Sequence, residues 1–352
     1  MYSASQPSLT MTINALSSSN QGFNDLLDRL QTAEFLDNPD TISPLNQLQA
    51  DSNLNIAVPN MGRFALTDWS KSQLSSLLGI RFDKWFVNSD PEDQAYELNR
   101  RFARADGEVK LRTTLIGAGG NQNDGTLRGI VSPSFTSIKD SQVASMVCKA
   151  LEDVEPELRI IRADITTRST SYVIGVGQPF RPGGSHEVGD IFGGIHIQNS
   201  GVGYASLSMT LHLTRLICKN GMTVPLRNAE ILRRRHTSGL TIERVQEEIG
   251  RKFIEIPGQL QQAGQIIHRS QSVAVMNVEE TITRILQQSH LPRKLLQPLM
   301  LAFSREPHAS AFGVVQAMTD SETLQQLQIK PEERIQLEQA AGSYLRDLNQ
   351  NN

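Results

Sequence analysis

The strongest constraint on the fold is a regular alternation of apolar and polar side chains in the middle of the chain. Between Ala205 and Leu213 every second residue is apolar, and the residues between them are polar. A similar period of two runs over Ile191–Gln198 and Ile161–Thr166. Such strands are typical of an antiparallel sheet that buries one face under helices and turns the other towards water or a ligand. We therefore predict a sheet of this kind, with a hairpin turn at Asn199–Gly203.

A helix is predicted directly after Asp140, which is a natural capping residue. Val143, Met146 and Val147 follow at i, i+3 and i+4, and the apolar stripe continues to Leu151. This spacing places the apolar side chains on one face of the helix. The stripe needs an apolar surface to pack on, and the predicted sheet supplies one.

The chain divides into three predicted parts. Residues 1–60 form a flexible or partly helical N-terminal segment, with a loop over residues 37–60. Residues 61–239 form an α+β core domain, and residues 240–352 form a helical C-terminal region. The expected fold class is α+β: an antiparallel sheet with helices packed on one face, followed by a helical C-terminal region.

Bulk composition limits the function and the compartment. The net charge of −3 argues against a surface covered in positive charge, so any nucleic-acid binding needs a local patch. Two cysteines are too few for a disulfide framework. There is no apolar run near the roughly 20 residues that span a bilayer, and the first residues do not resemble a secretory signal. We expect a cytoplasmic protein with no membrane association.

A basic stretch supplies the local patch. From Arg215 to His236 six side chains are positively charged and only Glu230 is acidic. A positive groove beside a polar sheet face is a plausible track for a nucleic-acid backbone, although the chain offers few aromatic side chains for base stacking. A charged surface or a subunit interface explains the same stretch equally well. The residues predicted to contact phosphates are Arg162, Arg168, Lys219, Arg227, Arg233, Arg234 and Arg235.

Catalytic and metal sites are less well supported. His196 and His212 can share the polar sheet face with Asp164 and Asp190, but no metal-binding spacing accompanies them, so ordinary polar side chains are favoured. Cys218 lies beside a lysine that would lower its thiol pKa, and a structural cysteine is still favoured. We predict no metal, no cofactor and no catalytic set, and an enzyme is less expected than a binding protein.

A glycine-rich segment also needs an interpretation. Gly117, Gly119 and Gly120 lie between two strand-like runs, and no G-K-[ST] sequence follows them. A phosphate-binding loop is normally followed by a helix. The favoured interpretation is a long hairpin loop.

Several segments together resemble a phage/plasmid-like protein family of unknown function. The resemblance covers roughly residues 60–275, and RGIVS and LICKNGM are its most specific marks. The chain departs from the family pattern at Arg81, Ser134 and Phe135. The segments are Leu66–Ile80, Leu111–Gly117, Arg128–Val143, Asn199–Met209, Arg215–Met222 and Arg234–Gly239.

This resemblance implies a role in the DNA metabolism of a mobile element. A sheet crossed by a helix is also similar in architecture to the Rad52-like single-strand annealing proteins, although fold does not imply function. The leading hypothesis is a non-enzymatic protein that binds or anneals single-stranded nucleic acid as a homo-oligomer. One alternative is an assembly or protein-interaction protein that uses its helical C-terminal region. Another is a metal-dependent enzyme that acts on nucleic acid.

Overall fold

The fold was analysed in a computed structural model, which describes residues 20–80, 88–114, 124–152, 159–176, 191–215, 221–223 and 229–350. The predicted α+β class is confirmed: antiparallel pairing dominates the strands, helices pack on them, and a helical region follows. The described residues form two six-stranded sheets instead of one. In the described part of the chain, no helix combines the length and apolar character needed to cross a membrane.

The first sheet is built by residues 41–131. Its strands are β1 (Thr41–Pro44), β2 (Gln49–Ala50), β3 (Asn55–Val58), β4 (Gly62–Leu66), β5 (Glu108–Thr114) and β6 (Asp124–Val131). They lie in the order β1-β5-β6-β4-β3-β2, and all pairs are antiparallel except the parallel pair β4–β6. The predicted hairpin of β5 and β6 is confirmed, while its glycine-rich loop, including Gly117, Gly119 and Gly120, lies outside the described residues.

The loop predicted over residues 37–60 is wrong, because β1, β2 and β3 lie there. These strands have two to four residues, too few to display a period of two. Two helices cover this sheet, α2 (Asp68–Leu77) and α3 (Pro91–Phe102). Thr67 caps α2 by accepting a hydrogen bond from the Ser70 backbone N–H. Leu74, Leu98 and Leu111 are fully buried in the resulting core.

The second sheet carries the alternation seen in the sequence. Its strands are β7 (Arg159–Ile165), β8 (Thr170–Gly175), β9 (Ile191–Asn199), β10 (Leu207–Arg215), β11 (Gly221–Thr223) and β12 (Glu230–Arg234). The order is β11-β10-β9-β8-β7, and β12 pairs with β10 beside β11. Leu211 lies opposite Ile195 and Met209 opposite Ile197, so the apolar residues of both strands share one face.

That apolar face is covered by helices, as the sequence predicts. Helix α4 (Asp140–Glu152) places Val143, Val147 and Leu151 in the same core, all fully buried. Helix α1 (Asn20–Phe35) packs beside α4 and β7. The carboxylate of Asp140 turns towards the sheet, where it accepts hydrogen bonds from Thr170 and Asn199, each at 2.8 Å.

The hairpin turn between β9 and β10 joins the two sheets. The Val202 carbonyl accepts hydrogen bonds from Trp69 Nε1 and Gln73 Nε2, each at 3.0 Å. Gly129 of β6 packs so closely on this turn that an added Cβ would lie 2.6 Å from the Val202 Cβ. Gly203 has a φ of +76°, which glycine tolerates without strain. The turn therefore also forms a contact between the second sheet and the first.

The remaining chain is helical, as predicted. Helix α5 (Ile242–Phe253) contacts α4 and β12, and α6 (Ile256–Ser270) follows at once. The other helices are α7 (Val278–Gln288), α8 (Leu296–Arg305), α9 (Ala311–Thr319), α10 (Ser321–Gln326) and α11 (Pro331–Gln350). Helix α11 packs against α6, α7, α9 and β11, so the helical region is part of the same hydrophobic core as the second sheet.

Candidate nucleic-acid interface

The polar face of the second sheet does not lie open, and this prediction is wrong. Its strands turn Arg162, Ser171, His196 and His212 to the side opposite the apolar core. Helix α11 brings the carboxylate of Glu338 to this side, and His196 and His212 are only 5% and 2% exposed. This cover could not be predicted, because local periodicity does not show which helix packs on a face.

Arg162 is held in a buried ionic cluster and does not face solvent. Its Nη2 donates to Glu338 Oε2 at 3.1 Å, its Nη1 pairs with Glu338 Oε1, and its Nε lies 3.4 Å from Asp164 Oδ2. Burial acts to raise the pKa of Glu338, but the charge of Arg162 and its hydrogen bond to the carboxylate outweigh this effect and lower the pKa to about 2. The pKa of Asp164 is raised by burial in spite of Arg162. Arg162 is therefore not accessible to phosphate in this conformation.

The two histidines of this face are buried and neutral. His196 Nε2 and Ser171 Oγ form a hydrogen bond of 2.7 Å, and the rings of His196 and His212 lie 6.0 Å apart. Burial lowers the pKa of His196 to about 3 and that of His212 to about 4. Across the described ranges, no three His, Cys, Asp or Glu side chains are grouped to hold a metal ion, and Asp190 and Cys218 lie outside those ranges.

Arg168 is also engaged. Its Nη2 lies 3.3 Å from Glu332 Oε1 of α11, and its guanidinium lies over the Tyr204 ring, 5.0 Å from the ring centre. Arg168 is about 29% exposed. It therefore lies at the margin of the covered face, where a ligand would have to displace Glu332 to reach it.

The arginines of β12 lie at the surface. Arg233 pairs with Glu230 at 2.6 Å and Arg234 with Glu248 of α5 at 2.5 Å, yet more than half of each arginine side chain is exposed. Arg235 is also exposed. Of the remaining predicted contacts, Lys219 and Arg227 lie outside the described residues. Arg233 and Arg234 point to opposite sides of the sheet, because Arg233 lies opposite Ser208 and Arg234 opposite Leu207.

A cleft lies between the end of β12 and the exposed side of α5. Its volume is about 710 Å³. Five of its lining residues are cationic and only two are acidic, and neither an aromatic ring nor a large apolar wall is present among them. The cations are Arg234, Arg235, Arg244, Arg251 and Lys252; the acids are Glu247 and Glu248; Thr237, Gly239, Leu240, Thr241 and Val245 complete the lining.

The sequence of α5 explains why these cations line one cleft. Val245 and Ile249 are buried and fix the inner side of the helix. Arg244, Arg251 and Lys252 stand at i, i+7 and i+8, a spacing that places them together on another side of a helix. Thr241 caps the helix by accepting a hydrogen bond from the Arg244 backbone N–H.

These three cations are missing from the predicted contacts, although their spacing is visible in the sequence. Most of the predicted contacts lie in a continuous basic run, which ends at His236. The helical spacing of the three cations beyond Leu240 is the signal that indicates them.

The cleft holds positive charge that the protein itself leaves largely uncompensated. Arg244 donates to the Gly239 carbonyl at 3.3 Å, and Arg251 Nε to the Glu247 carbonyl at 3.4 Å. Within the described part of the chain, no carboxylate lies within 4.0 Å of the side-chain nitrogens of Arg235, Arg244, Arg251 or Lys252. Uncompensated guanidinium groups attract anions and present forked donors to phosphate oxygens.

The fold and the cleft together define an α+β protein with a positively charged surface cleft. Residues 180–341 match the family described as "Domain of unknown function (DUF932)". The match includes β9 to β12, α5 to α10 and the beginning of α11, and so contains every residue that lines the cleft. The match supports the expectation of a family of unknown function over residues 180–341, whereas the predicted resemblance to a phage/plasmid-like family covers roughly residues 60–275. Comparison with curated proteins and with solved structures gave no match.

Proposed function

We propose that the protein binds nucleic acid by holding the phosphate backbone in the cleft between β12 and α5. The observation that carries the proposal is the set of four cations, Arg235, Arg244, Arg251 and Lys252, that have no carboxylate partner in the described structure. A ligand with regularly repeated negative charge fits this lining better than a small apolar molecule, which prefers a largely hydrophobic pocket.

The cleft favours recognition of the backbone over recognition of bases. No aromatic ring belongs to its described lining, so a platform for base stacking is missing there. The binding is therefore expected to be independent of sequence. We further propose that the ligand is single-stranded nucleic acid of a mobile element and that the chain acts as a non-enzymatic homo-oligomer; the family resemblance of the sequence supports this part.

The test is a salt titration of binding to a short fluorescent oligonucleotide, single-stranded in one arm and duplex in the other. We assume that each of the four cations contacts one phosphate of a single strand. A plot of the logarithm of the association constant against the logarithm of the salt concentration then has a slope of about −3. The affinity then drops about fiftyfold between roughly 50 and 200 mM salt.

A matched pair of variants assigns the binding to the cleft. The double variant Arg244→Gln/Arg251→Gln is expected to reduce the magnitude of the slope by about 1.4, because two phosphate contacts are lost. The control Arg63→Gln/Arg269→Gln removes the same charge from exposed positions outside the cleft and is expected to leave the slope unchanged. No binding at low salt, or equal slopes for the two variants, would refute the proposal.

A further inference from the structure

Two ion pairs join helix α11 to β7 and to the turn that follows β7, at Arg162 and Arg168. On one side α11 buries Leu337, Ala341 and Leu345 in the hydrophobic core that α6, α7 and α9 share. On the side towards the sheet it presents Glu338 to Arg162 and Glu332 to Arg168. An apolar contact cannot exchange its partner for an anion, whereas an arginine–carboxylate pair can.

The carboxylates of α11 occupy the guanidinium groups in the way a phosphate would. Two oxygens of Glu338 meet two nitrogens of Arg162, which is the forked arrangement that arginine also forms with phosphate. Glu332 meets Arg168 beside the Tyr204 ring at the margin of the covered face. Helix α11 therefore places acidic groups on two arginines that the strand pattern alone assigns to an open polar surface.

The covered face is not fully satisfied by this arrangement. In the described part of the chain, His212 Nδ1 and Thr214 Oγ1 on the polar side of the sheet are buried without a hydrogen-bond partner. Arg162 Nε and Glu332 Oε1 also lack a hydrogen bond, and each has only an ion-pair contact, at 3.4 Å with Asp164 and at 3.3 Å with Arg168. Because these atoms have exchanged water for a long contact or for none, the closed contact is less stable than an apolar one of the same size.

The covered face also adjoins the exposed cleft. Strand β12 separates them: Arg233 lies opposite Ser208 on the polar side of the sheet, and the next residue, Arg234, lines the cleft. Ser208 and Thr210 at this end of the polar face are only partly buried, whereas His212 farther along β10 is buried. A nucleic-acid strand bound in the cleft would therefore reach the margin of the covered face at β12.

We propose that α11 is an autoinhibitory cover over a second phosphate-binding surface. When the cover separates from the sheet, Arg162 and Arg168 exchange Glu338 and Glu332 for phosphates of a nucleic acid. The inference rests on the proposed function, since it takes the same ligand, and it adds both a second site and a means of regulating binding.

The experiment uses the full chain and compares Glu338→Gln with Asp347→Asn. Both variants remove one negative charge from α11, but Asp347 is exposed and, among the described residues, pairs only with its neighbour Arg346. Loss of one partner from a buried pair opens the cover, so Glu338→Gln is expected to bind the single-stranded oligonucleotide at least about tenfold more tightly than Asp347→Asn. Two added phosphate contacts also steepen its salt slope by about 1.4.

A second measurement needs no variant and keeps the test valid if Glu338→Gln does not fold. Hydrogen exchange of the unaltered protein is followed with and without the oligonucleotide. Faster exchange of the α11 amides in the bound protein supports the cover. Unchanged or slower exchange of those amides while the oligonucleotide is bound overturns it.

The outcomes separate the two proposals. Equal affinity and slope for the two folded α11 variants overturn the cover and leave the cleft unaffected. Binding by Glu338→Gln but not by the unaltered chain supports the cover and overturns the role of the cleft. No binding by either overturns both.

Discussion

The buried pair of Arg162 and Glu338 makes a sharp prediction about stability. The two side chains are 12% and 4% exposed, so while α11 stays in place neither charge reaches water when its partner is removed. Removing one member of such a pair costs about 3 to 5 kcal/mol, mostly because the other charge remains buried and unpaired.

The two members of the pair are not equivalent. Arg162→Met removes the guanidinium group that pairs with both Glu338 and Asp164 and is expected to cost about 4 kcal/mol. Glu338→Gln leaves Arg162 beside Asp164, which compensates part of its charge, so a cost of about 3 kcal/mol is expected. With an unfolding entropy of roughly 2.1 cal/mol/K per residue, these costs lower the melting temperature of a chain of this length by about 4 to 5 °C.

The double variant tests the reasoning most directly. Arg162→Met/Glu338→Gln removes both charges together, so its cost should be smaller than the sum of the single costs by about 2 kcal/mol or more. The assay is chemical and thermal denaturation at pH 7 followed by circular dichroism. Costs that add within about 0.5 kcal/mol would show that the two side chains do not stabilise each other, and the description of the contact would be refuted.

Two further predictions concern pH and packing. Unfolded histidine binds a proton below pH 6.5, whereas His196 and His212 stay neutral in the fold until about pH 3 and 4. The free energy of unfolding should therefore fall by about 2 kcal/mol per histidine between pH 7.5 and 5. Denaturation of the unaltered chain and of His212→Asn at both pH values checks this, and parallel pH profiles of the two proteins would contradict it. Gly129→Ala should cost about 1 to 3 kcal/mol because its methyl group would overlap Val202. Gly258→Ala in helix α6 meets no atom within 4 Å and should be neutral or slightly stabilising. Thermal melts of the two variants give the comparison, and equal melting temperatures would be incompatible with close packing at Gly129.

Much of the second sheet could be predicted because its information is local. The alternation along β10 and the helical stripe from Val143 to Leu151 are repeated within a few residues, and each states directly which side of the element is buried. The short strands β1, β2 and β3 could not be predicted in this way. Their pairing depends on β5 and β4, and strands of two to four residues carry too little pattern of their own.

The candidate site likewise could be predicted only in part from local sequence patterns. The basic run ending at Arg235 is visible in the sequence, and the helical spacing of Arg244, Arg251 and Lys252 is visible too, but only the fold brings the end of β12 and one side of α5 to a single cleft. The proposal of nucleic-acid binding therefore depends on a combination of segments that no single segment indicates.

The division of these strands into an apolar and a polar side can be read from the sequence, because side-chain direction alternates within each strand whatever the rest of the chain does. What lies on the polar side depends on long-range packing. Arg162 and Glu338 are 176 residues apart, and their meeting depends on how an entire helical region packs against the sheet. Periodicity reports that a face is polar, but a polar face satisfied by water and one satisfied by buried carboxylates have the same pattern.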